Sequence, residues 1–355
     1  MDKIKRTINA IEKIDYSLSA KTQKRLDSLT KPQGSLGRLE EIAKQIVEIT
    51  KNGNPSLEKK VIFTMAADHG LTEEKVSAYP KEVTAQMVYN FLRGGAGINV
   101  LARHIGARVV VVDMGVNSKL KIQNSKLGIF KNKKINFGTK NITKGPAMTK
   151  DEAVRSIEAG IEAFEEELPE GIDIVGTGDM GIGNTTASSA IAAAITDEAV
   201  ENLTGRGTGI DDKTFAYKVE VIKKALKLNK PDSKDAIDVL LKVGGFEIGG
   251  LAGVILAAAS KRIPVVIDGF ISAAAALISY RLEPKVKDYM IAAHSSVEKG
   301  HSIVLRFMGL SPLLDFNLRL GEGTGAALGI SIVEAANKIL TQMATFQDAG
   351  VSKKG

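Results

Sequence analysis

The sequence predicts an α/β protein, with a Rossmann-like parallel sheet flanked by helices. Short β-branched runs alternate with helical patterns, and the runs are apolar along their whole length. Strands of this kind are typical of parallel sheets, which are buried on both faces. Each run ends in Gly, Asp, His or Ser and leads into a helical pattern. We therefore expect these polar ends to meet at the edge where doubly wound sheets bind ligands.

Five runs form the predicted strands, and each leads into a polar turn. In chain order they are 61–65 before Asp68-His69-Gly70, 109–112 before Asp113-Met114-Gly115, 172–175 before Gly176-Thr177-Gly178, 264–267 before Asp268-Gly269, and 289–293 before His294-Ser295-Ser296. A helical pattern over residues 326–340 follows the last run. We place a large α/β domain with the active site at residues 60–320. Residues 1–59 and 321–355 are predicted to form a small helical domain.

The N-terminal segment has the apolar spacing of an amphipathic helix. Leu36, Leu39, Ala43 and Ile46 recur at helical intervals. A turn with proline and glycine precedes them, and Ser35 is the last residue of that turn. The position predicts Ser35 as the N-cap of the helix.

Composition excludes several classes of site. The 355 residues carry a net charge of +7, which permits anionic ligands, but only 5% are aromatic, so base-stacking platforms for nucleic acid are scarce. The chain has no cysteine and four scattered histidines, which argues against a metal site or a disulfide, and we expect no cofactor. The N-terminus lacks the apolar stretch of a signal peptide, and no apolar run reaches transmembrane length. We expect a cytoplasmic protein without a membrane partner.

Residues 117–144 contain eight lysines in a stretch with little periodicity. One interpretation is a loop that binds anions. A run of like charges more often marks a solvated loop. The pattern therefore favours an excursion from the sheet into solvent.

Two glycine-rich segments predict a phosphate site. Gly176 and Gly178 begin a G-x-G-x-x-G pattern, with Asp179 beside Gly178, after a strand and before a helix. A dinucleotide fingerprint would also need an acid at the end of the next strand, about 20 residues on, and that region stays helix-like. The helix start is more informative, because free N–H groups and polar side chains there bind anions. The helix-start residues are Gly183, Asn184, Thr185 and Thr186; the second segment, 205–209, contributes Gly207 and precedes Lys218.

Glu322 stands between two glycines just before the last helical pattern. Flanking glycines let the backbone turn sharply and let a ligand approach closely. The alternative is a surface turn whose acid interacts with the positive end of the helix. Glu247 also lies among glycines, where close packing is the favoured interpretation. His69 and His294 form no recognisable triad with a third group.

Eight motifs, in order from about residue 30 to 340, resemble the nicotinate-nucleotide:dimethylbenzimidazole phosphoribosyltransferase family of the cobalamin lower-ligand pathway. They are Lys31-Pro-Gln-Gly-Ser-Leu-Gly37, Ala67-Asp-His-Gly70, Thr84-Ala-Gln86, Gly178-Asp-Met-Gly-Ile-Gly-Asn-Thr-Thr186, Gly244-Gly-Phe-Glu-Ile-Gly-Gly-Leu-Ala-Gly253, Asp268-Gly-Phe270, His294-Ser-Ser296 and Leu318-Arg-Leu-Gly-Glu-Gly-Thr-Gly325. A series of eight is far more specific than any one motif.

The resemblance implies an activity and residue roles. Nicotinate mononucleotide and 5,6-dimethylbenzimidazole would give α-ribazole 5′-phosphate and nicotinate, in a homodimer. Glu322 falls on the family's catalytic base, and Lys218 with the 176–186 segment falls on the phosphoribosyl site. The base-binding positions are Ser77, Gln86 and Leu320, and the surrounding positions are His294, Ser295 and Ser296. Asp179 departs from relatives that carry Glu there, so its contact could differ.

The residues fit that chemistry. Nicotinate leaves from a pyridinium and needs no general acid, whereas the azole must lose one N–H proton, for which one carboxylate suffices. Two other functions stay open at this point: a nicotinamide-dinucleotide-dependent oxidoreductase, from the glycine pattern, and a non-catalytic nucleotide-binding protein. The sequence does not identify the azole, since dimethylbenzimidazole, benzimidazole and adenine all offer a ring nitrogen.

Overall fold

A six-stranded parallel sheet forms the centre of the computed structural model, which describes residues 1–120, 122, 128–207 and 209–352. The strands are β1 (Lys60–Ala67), β2 (Arg108–Gly115), β3 (Ile129–Asn132), β4 (Ile174–Met180), β5 (Val265–Ile267) and β6 (Met290–Ala292). Their spatial order is β3-β2-β1-β4-β5-β6. That order is typical of the Rossmann fold and reverses direction between β1 and β4. The predicted fold class is confirmed.

Helices cover both faces of this sheet. They are α1 (Asp2–Asn9), α2 (Ser19–Ser28), α3 (Arg38–Thr50), α4 (Val83–Arg93), α5 (Gly97–Ile105), α6 (Lys150–Glu165), α7 (Asn184–Thr196), α8 (Val200–Leu203), α9 (Asp212–Asn229), α10 (Ala236–Val243), α11 (Phe246–Ser260), α12 (Phe270–Leu282), α13 (Lys299–Met308) and α14 (Thr324–Gln342). Within the described ranges, no helix is both long and apolar enough to cross a membrane.

Alternation along the strands divides the core into two layers. Phe63 and Met65 of β1 belong to the larger apolar cluster, with side chains from α6, α7, α11 and α12. Ile62 and Ala66, which point to the other face, belong to a second cluster with side chains from α3, α4, α5 and α14. The helices α3 and α14 pack on each other in that second layer. The proposed division into domains at residues 60–320 and 1–59 with 321–355 stays a prediction.

The strand predicted at residues 172–175 is longer than expected. It continues to Met180, so Gly176 and Gly178 lie inside β4 and do not form a loop. A Cβ on Gly176 would lie 3.2 Å from Ile330 and 3.3 Å from Ala326, both on α14. Gly176 therefore allows α14 to approach the sheet closely. Such packing is invisible in a local pattern, where two glycines predict a turn.

The prediction for Ser35 is wrong. Helix α3 begins at Arg38, and its N-cap is Gly37, which adopts φ 50°. The turn before it is held by the buried Lys31–Glu40 ion pair, with Nζ 2.7 Å from the carboxylate. The same carboxylate accepts the N–H of Leu36 at 3.1 Å. A side chain from inside the helix thus replaces the predicted serine cap.

The excursion predicted at residues 117–144 is wrong in part, because this segment contains the edge strand β3. Lys131 pairs with Glu167 at 2.9 Å, and Lys133 pairs with Glu162 at 3.1 Å. These acids lie on or just after α6, so two of the lysines serve the fold. Lys121 and Lys126 lie outside the described residues.

Candidate active site

A cavity of about 490 Å³ opens beyond the carboxyl ends of β4, β5 and β6. The residues after these three strands line one side, and the first turn of α7 lines another. Residues 317–321, just before α14, close the cavity. The position agrees with the rule that doubly wound sheets bind ligands near the point where strand order reverses.

The cavity brings together seven of the residues predicted from the sequence. They are Asp179, Asn184, Thr185, Gly207, His294, Ser296 and Leu320. Apolar and aromatic side chains also line the cavity, and none of them was assigned to a binding site from the sequence. These are Tyr79, Met180, Ile182, Phe270, Ile271 and Leu318. An apolar wall facing a polar helix start is what a ligand with a flat ring and an anionic group requires.

The polar end of the cavity is the start of α7. Gly183 is its N-cap with φ 96°, and none of the described side chains caps this end. Thr185 accepts a hydrogen bond from Lys218 Nζ at 3.0 Å, and Lys218 also donates to Gly205 O at 3.1 Å. A lysine beside an uncapped helix start can bind a phosphate.

Lys218 is almost completely buried, with 1% of its surface exposed. Burial lowers the pKa of its ammonium to about 8, although the charge of Glu298 opposes the shift. Near neutral pH the ammonium stays charged. A phosphate would stabilise that charge further, because opposite charges favour the ionised form.

The second glycine segment is fixed by two residues that the sequence did not point to. Glu298 accepts the N–H of Gly207 at 2.8 Å, and Arg319 donates to Gly207 O at 3.1 Å. Gly205 lies so close to the Glu298 carboxylate that a Cβ there would collide with it. Thr208 lies outside the described residues. No periodicity or motif could have predicted these contacts, because they join segments about 90 and 110 residues apart.

Asp179 is the last residue but one of the strand β4 and contacts the first residue of α7. Its carboxylate accepts a hydrogen bond from Asn184 Nδ2 at 2.9 Å. Burial raises the pKa of Asp179 well above its usual range, and the charges of Asp268 and Glu247 add to the effect.

Glu322 occupies a tight turn directly on the sheet. Its φ is 64°, an uncommon value for a residue other than glycine. Thr64 of β1 donates its hydroxyl to Glu322 O at 3.0 Å. Gly178 of β4 lies against the same carbonyl, where a Cβ would collide. Since Thr64 and Gly178 are register partners, the turn sits across the β1–β4 pair.

The carboxylate of Glu322 points to the first turn of α5. It accepts the N–H of Ile98 at 3.1 Å, and only 5% of the residue is exposed. Burial raises the pKa of Glu322, the backbone N–H groups of Ile98 and Gly97 oppose the shift, and the charge of Asp268 adds to it. The side chains of Leu320 and Glu322 both lie against Gly97. Leu320 lines the cavity, whereas Glu322 lies behind this lining. A carboxylate with a raised pKa suits proton acceptance near neutral pH.

Several predicted residues lie behind the cavity wall. Thr186 is buried inside α7, and no described group accepts or donates a hydrogen bond at its hydroxyl. Ser295 donates its N–H to Leu314 O at 2.7 Å. Gln86 is exposed on α4, and Ser77 accepts the N–H of Tyr79 at 3.3 Å. Neither Ser77 nor Gln86 is part of the cavity lining, whereas Tyr79, which Ser77 contacts, lines it.

The two histidines that the motifs contain differ in their surroundings. His69 contacts Glu247 at 2.5 Å, and both side chains are completely buried. The packing role of Glu247 stays a prediction. His294 faces the cavity and lies against Gly325, where a Cβ would collide with its ring. Over the described ranges, no group of three or more His, Asp or Glu side chains is arranged to hold a metal ion.

Comparisons with known proteins agree on one family. A family model described as "Phosphoribosyltransferase" matches residues 11–351. A nicotinate-nucleotide–dimethylbenzimidazole phosphoribosyltransferase of Desulforudis audaxviator is 57% identical over 99% of both chains. A protein of the same name from Roseiflexus is 56% identical over 100% of this chain and 99% of its own. The crystal structure of the Thermus thermophilus protein of that name has a TM-score of 0.90 at 41% identity, covering 96% of this chain and 100% of its own.

Proposed function

Because the chain belongs to the nicotinate-nucleotide–dimethylbenzimidazole phosphoribosyltransferase family, we propose that it transfers the phosphoribosyl group of nicotinate mononucleotide to dimethylbenzimidazole. The family assignment extends over nearly the whole chain, as the match to residues 11–351 indicates. The products are α-ribazole 5′-phosphate and nicotinate. One observation carries the mechanism: the carboxylate of Glu322, buried in a tight turn, is held beside a cavity that has one polar and one apolar side.

The phosphate of nicotinate mononucleotide binds at the polar end. The start of α7 has no side-chain cap, and Lys218 offers a buried positive charge next to Thr185. Gly207, held by Glu298 and Arg319, closes this end of the site. A charged lysine and oriented N–H groups together are a typical phosphate site.

The azole occupies the apolar side. Leu320, Met180, Ile182 and Phe270 line that part of the cavity, and a flat aromatic ring stacks well against such side chains. Its approach brings one ring nitrogen to the anomeric carbon and leaves the other N–H near the turn that carries Glu322. The apolar lining excludes water from the reacting atoms.

The reaction is a direct displacement. A ring nitrogen of the azole donates its electron pair to C1′ of the ribose, and the bond from C1′ to the nicotinate nitrogen breaks. That electron pair neutralises the pyridinium, so nicotinate leaves without a proton. The azole N–H proton passes to Glu322, whose raised pKa makes it a better base than an exposed glutamate. Attack opposite to the leaving group inverts C1′, as an α-linked product requires.

The alternative function, a dinucleotide-dependent oxidoreductase, is not supported. Gly176 and Gly178 belong to the strand β4 and pack against α14 and the Glu322 turn. A fingerprint needs these glycines in a loop that receives the pyrophosphate.

The protein acts in the cytoplasm as a homodimer. Nicotinate mononucleotide is a charged phosphate ester that does not cross a bilayer unaided, which supports a site in the compartment where nucleotides are made. The dimer is supported by the family resemblance of the motifs. Sedimentation equilibrium would return twice the chain mass, and the mass of a single chain would contradict the dimer.

The direct test is a product assay. We expect the protein, incubated with nicotinate mononucleotide and dimethylbenzimidazole, to release nicotinate and form one nucleotide with the mass of ribazole phosphate and an α-anomeric NMR signal. Parallel reactions with benzimidazole and adenine rank the acceptors. Nicotinate mononucleotide alone serves as the control. Binding of the mononucleotide without release of nicotinate in any reaction would contradict the activity and indicate a non-catalytic binding protein.

A further inference from the structure

Asp268, which follows β5, lies beneath the turn that carries Glu322. Its Oδ2 accepts the N–H of Gly323 at 3.2 Å, and its Oδ1 accepts the N–H of Ala326 at 2.8 Å. The N–H of Gly325 also donates a hydrogen bond to the same carboxylate. Only 1% of Asp268 is exposed. A single buried side chain therefore binds three N–H groups of the first turn of α14 and the residue before it.

These hydrogen bonds hold a backbone that is unfavourable by itself. Glu322 and Gly323 have φ values of 64° and 99°. A residue other than glycine in this region is less stable by about 1–2 kcal/mol. Hydrogen bonds to a charged acceptor are among the strongest in proteins, so the Asp268 carboxylate can maintain the turn. The Thr64 hydroxyl fixes the same turn from the other side, at Glu322 O.

Asp268 is itself fixed in place. Its N–H donates to Thr177 Oγ1 at 3.1 Å, inside the sheet. The charged and titratable groups that face it come from each neighbouring segment: Asp179 near the end of β4, His294 after β6, and Glu322 itself. His294 and Asp268 both lie against Gly325, so glycine is the one residue that fits between them.

We propose that Asp268 is a positioning residue for the reaction: it holds the Glu322 turn in the one conformation that directs the base to the azole N–H. The inference rests on the proposed role of Glu322. Asp268 touches neither substrate in this assignment and acts through the backbone of residues 323–326. The Glu322 carboxylate then reaches the first turn of α5, where the N–H of Ile98 completes its orientation.

The test is Asp268→Asn. An amide keeps the shape but replaces one acceptor oxygen with an NH₂ group, which opposes a backbone N–H. We expect kcat to fall roughly 10- to 100-fold, the usual effect of a small misplacement of a reacting group. The affinity for nicotinate mononucleotide, measured by calorimetry, should stay within about twofold, because Lys218 and Gly207 keep their contacts.

Asp235→Asn is the matched control. Asp235 caps α10 by accepting the N–H groups of Ile237 and Asp238 at 2.9 and 3.1 Å, away from the cavity. The chemical change is the same, and kcat should not change. If Asp268→Asn also leaves kcat unchanged, the inference is wrong. A fall in kcat with an equal loss of mononucleotide affinity would equally contradict it, since the whole site would then be disturbed.

A double variant separates this inference from the proposed base. If Asp268 acts through Glu322, Asp268→Asn should lower kcat little further in a Glu322→Gln background. An equal loss in both backgrounds would show that Asp268 acts by another route. Near-normal turnover of Glu322→Gln alone would contradict the base itself. Low turnover of Glu322→Gln with normal turnover of Asp268→Asn would overturn only the inference.

Thr64→Val provides the same test if Asp268→Asn does not fold. Valine keeps the shape of threonine and removes the hydroxyl that donates to Glu322 O. We expect a smaller fall in kcat, about 3- to 10-fold, with unchanged mononucleotide affinity. An unchanged kcat would show that fixing the turn has no effect on the reaction.

Discussion

Glu322 combines an unfavourable backbone conformation with a buried carboxylate. Glycine would relieve the φ of 64°, but only a side chain with an acidic group can accept a proton. Burial raises the pKa of the carboxyl, and the N–H of Ile98 keeps the charged form accessible. The residue therefore suits a general base better than it suits a stable turn, as functional residues often do.

Replacing Glu322 with Gln tests this role. Glutamine keeps the size of the side chain and its acceptance from Ile98, but it cannot take up the azole proton. Turnover should fall roughly 10²- to 10⁴-fold, the usual contribution of a general base. Affinity for nicotinate mononucleotide and the melting temperature should change little. Near-normal turnover would rule out Glu322 as the base.

The pH dependence of nicotinate mononucleotide binding should reflect the ionisation of Lys218. The ammonium binds phosphate only when charged, and its pKa is lowered to about 8. Below pH 8 Lys218 is mostly charged, and we expect the highest affinity for nicotinate mononucleotide there. The affinity should weaken as the pH rises through that value and the ammonium loses its proton. Calorimetry across this range would measure it.

Lys218→Ala should weaken mononucleotide binding by roughly 1.5–3 kcal/mol, the contribution of a hydrogen bond to a charged group. The pH dependence near 8 should disappear with it. Lys213→Ala, an exposed lysine on the same helix, is the matched control and should bind normally. Unchanged affinity of Lys218→Ala would exclude this lysine from the site.

At the scale of elements, two helix starts define the reaction site. The first turn of α14 is bound by Asp268, and the first turn of α5 receives the Glu322 carboxylate. Both helices can come this close because Gly97 and Gly325 carry no side chain: a Cβ on Gly97 would lie 2.9 Å from Leu320. The glycines in the last motif thus serve packing as much as chain reversal.

Gly325→Ala should therefore disturb the site through packing. The added methyl group would collide with the ring of the buried His294 and would lie 2.9 Å from the carboxylate of Asp268. We expect a loss of about 1–3 kcal/mol in the free energy of unfolding, as overpacking typically causes, together with reduced turnover. Denaturant melts and initial rates measure both. Gly53→Ala, where a Cβ meets no atom within 4 Å, is the control.

At the scale of the whole molecule, the site collects residues from distant parts of the chain. Thr64, Gly178 and Glu322 meet across the β1–β4 pair, at the point where the strand order reverses. Helices that cover opposite faces of the sheet diverge there and leave a crevice. The cavity of about 490 Å³ occupies that crevice, with α7 on one side and the segment before α14 on the other.

Catalysis without a metal ion is a prediction for the whole protein. The chain has no cysteine and four scattered histidines, and the displacement described above needs only a base. Activity should persist after exhaustive treatment with EDTA and gel filtration. Loss of activity that only a divalent cation restores would reveal a metal site that the mechanism lacks.

The strand ends and the glycine motifs could be predicted because they depend on local rules. Apolar runs predict buried parallel strands, and a glycine next to a polar residue marks the end of such a run. Thr185 was identified in this way, whereas the roles of Lys218 and Glu322 came from the resemblance of the motifs to a family. Ser35 and the 172–175 strand were misjudged, because Glu40 binds the turn and α14 packs on Gly176.

The sequence by itself determined the fold class, the family and the residue types of the site, because strand composition and eight ordered motifs are properties of the chain. Only the tertiary structure decided that Asp268 binds the Glu322 turn and that Glu298 and Arg319 fix Gly207. It also decided that Glu322 faces the start of α5. These contacts join segments between 55 and 224 residues apart. Their geometry depends on how the helices pack on the sheet, which no local pattern encodes.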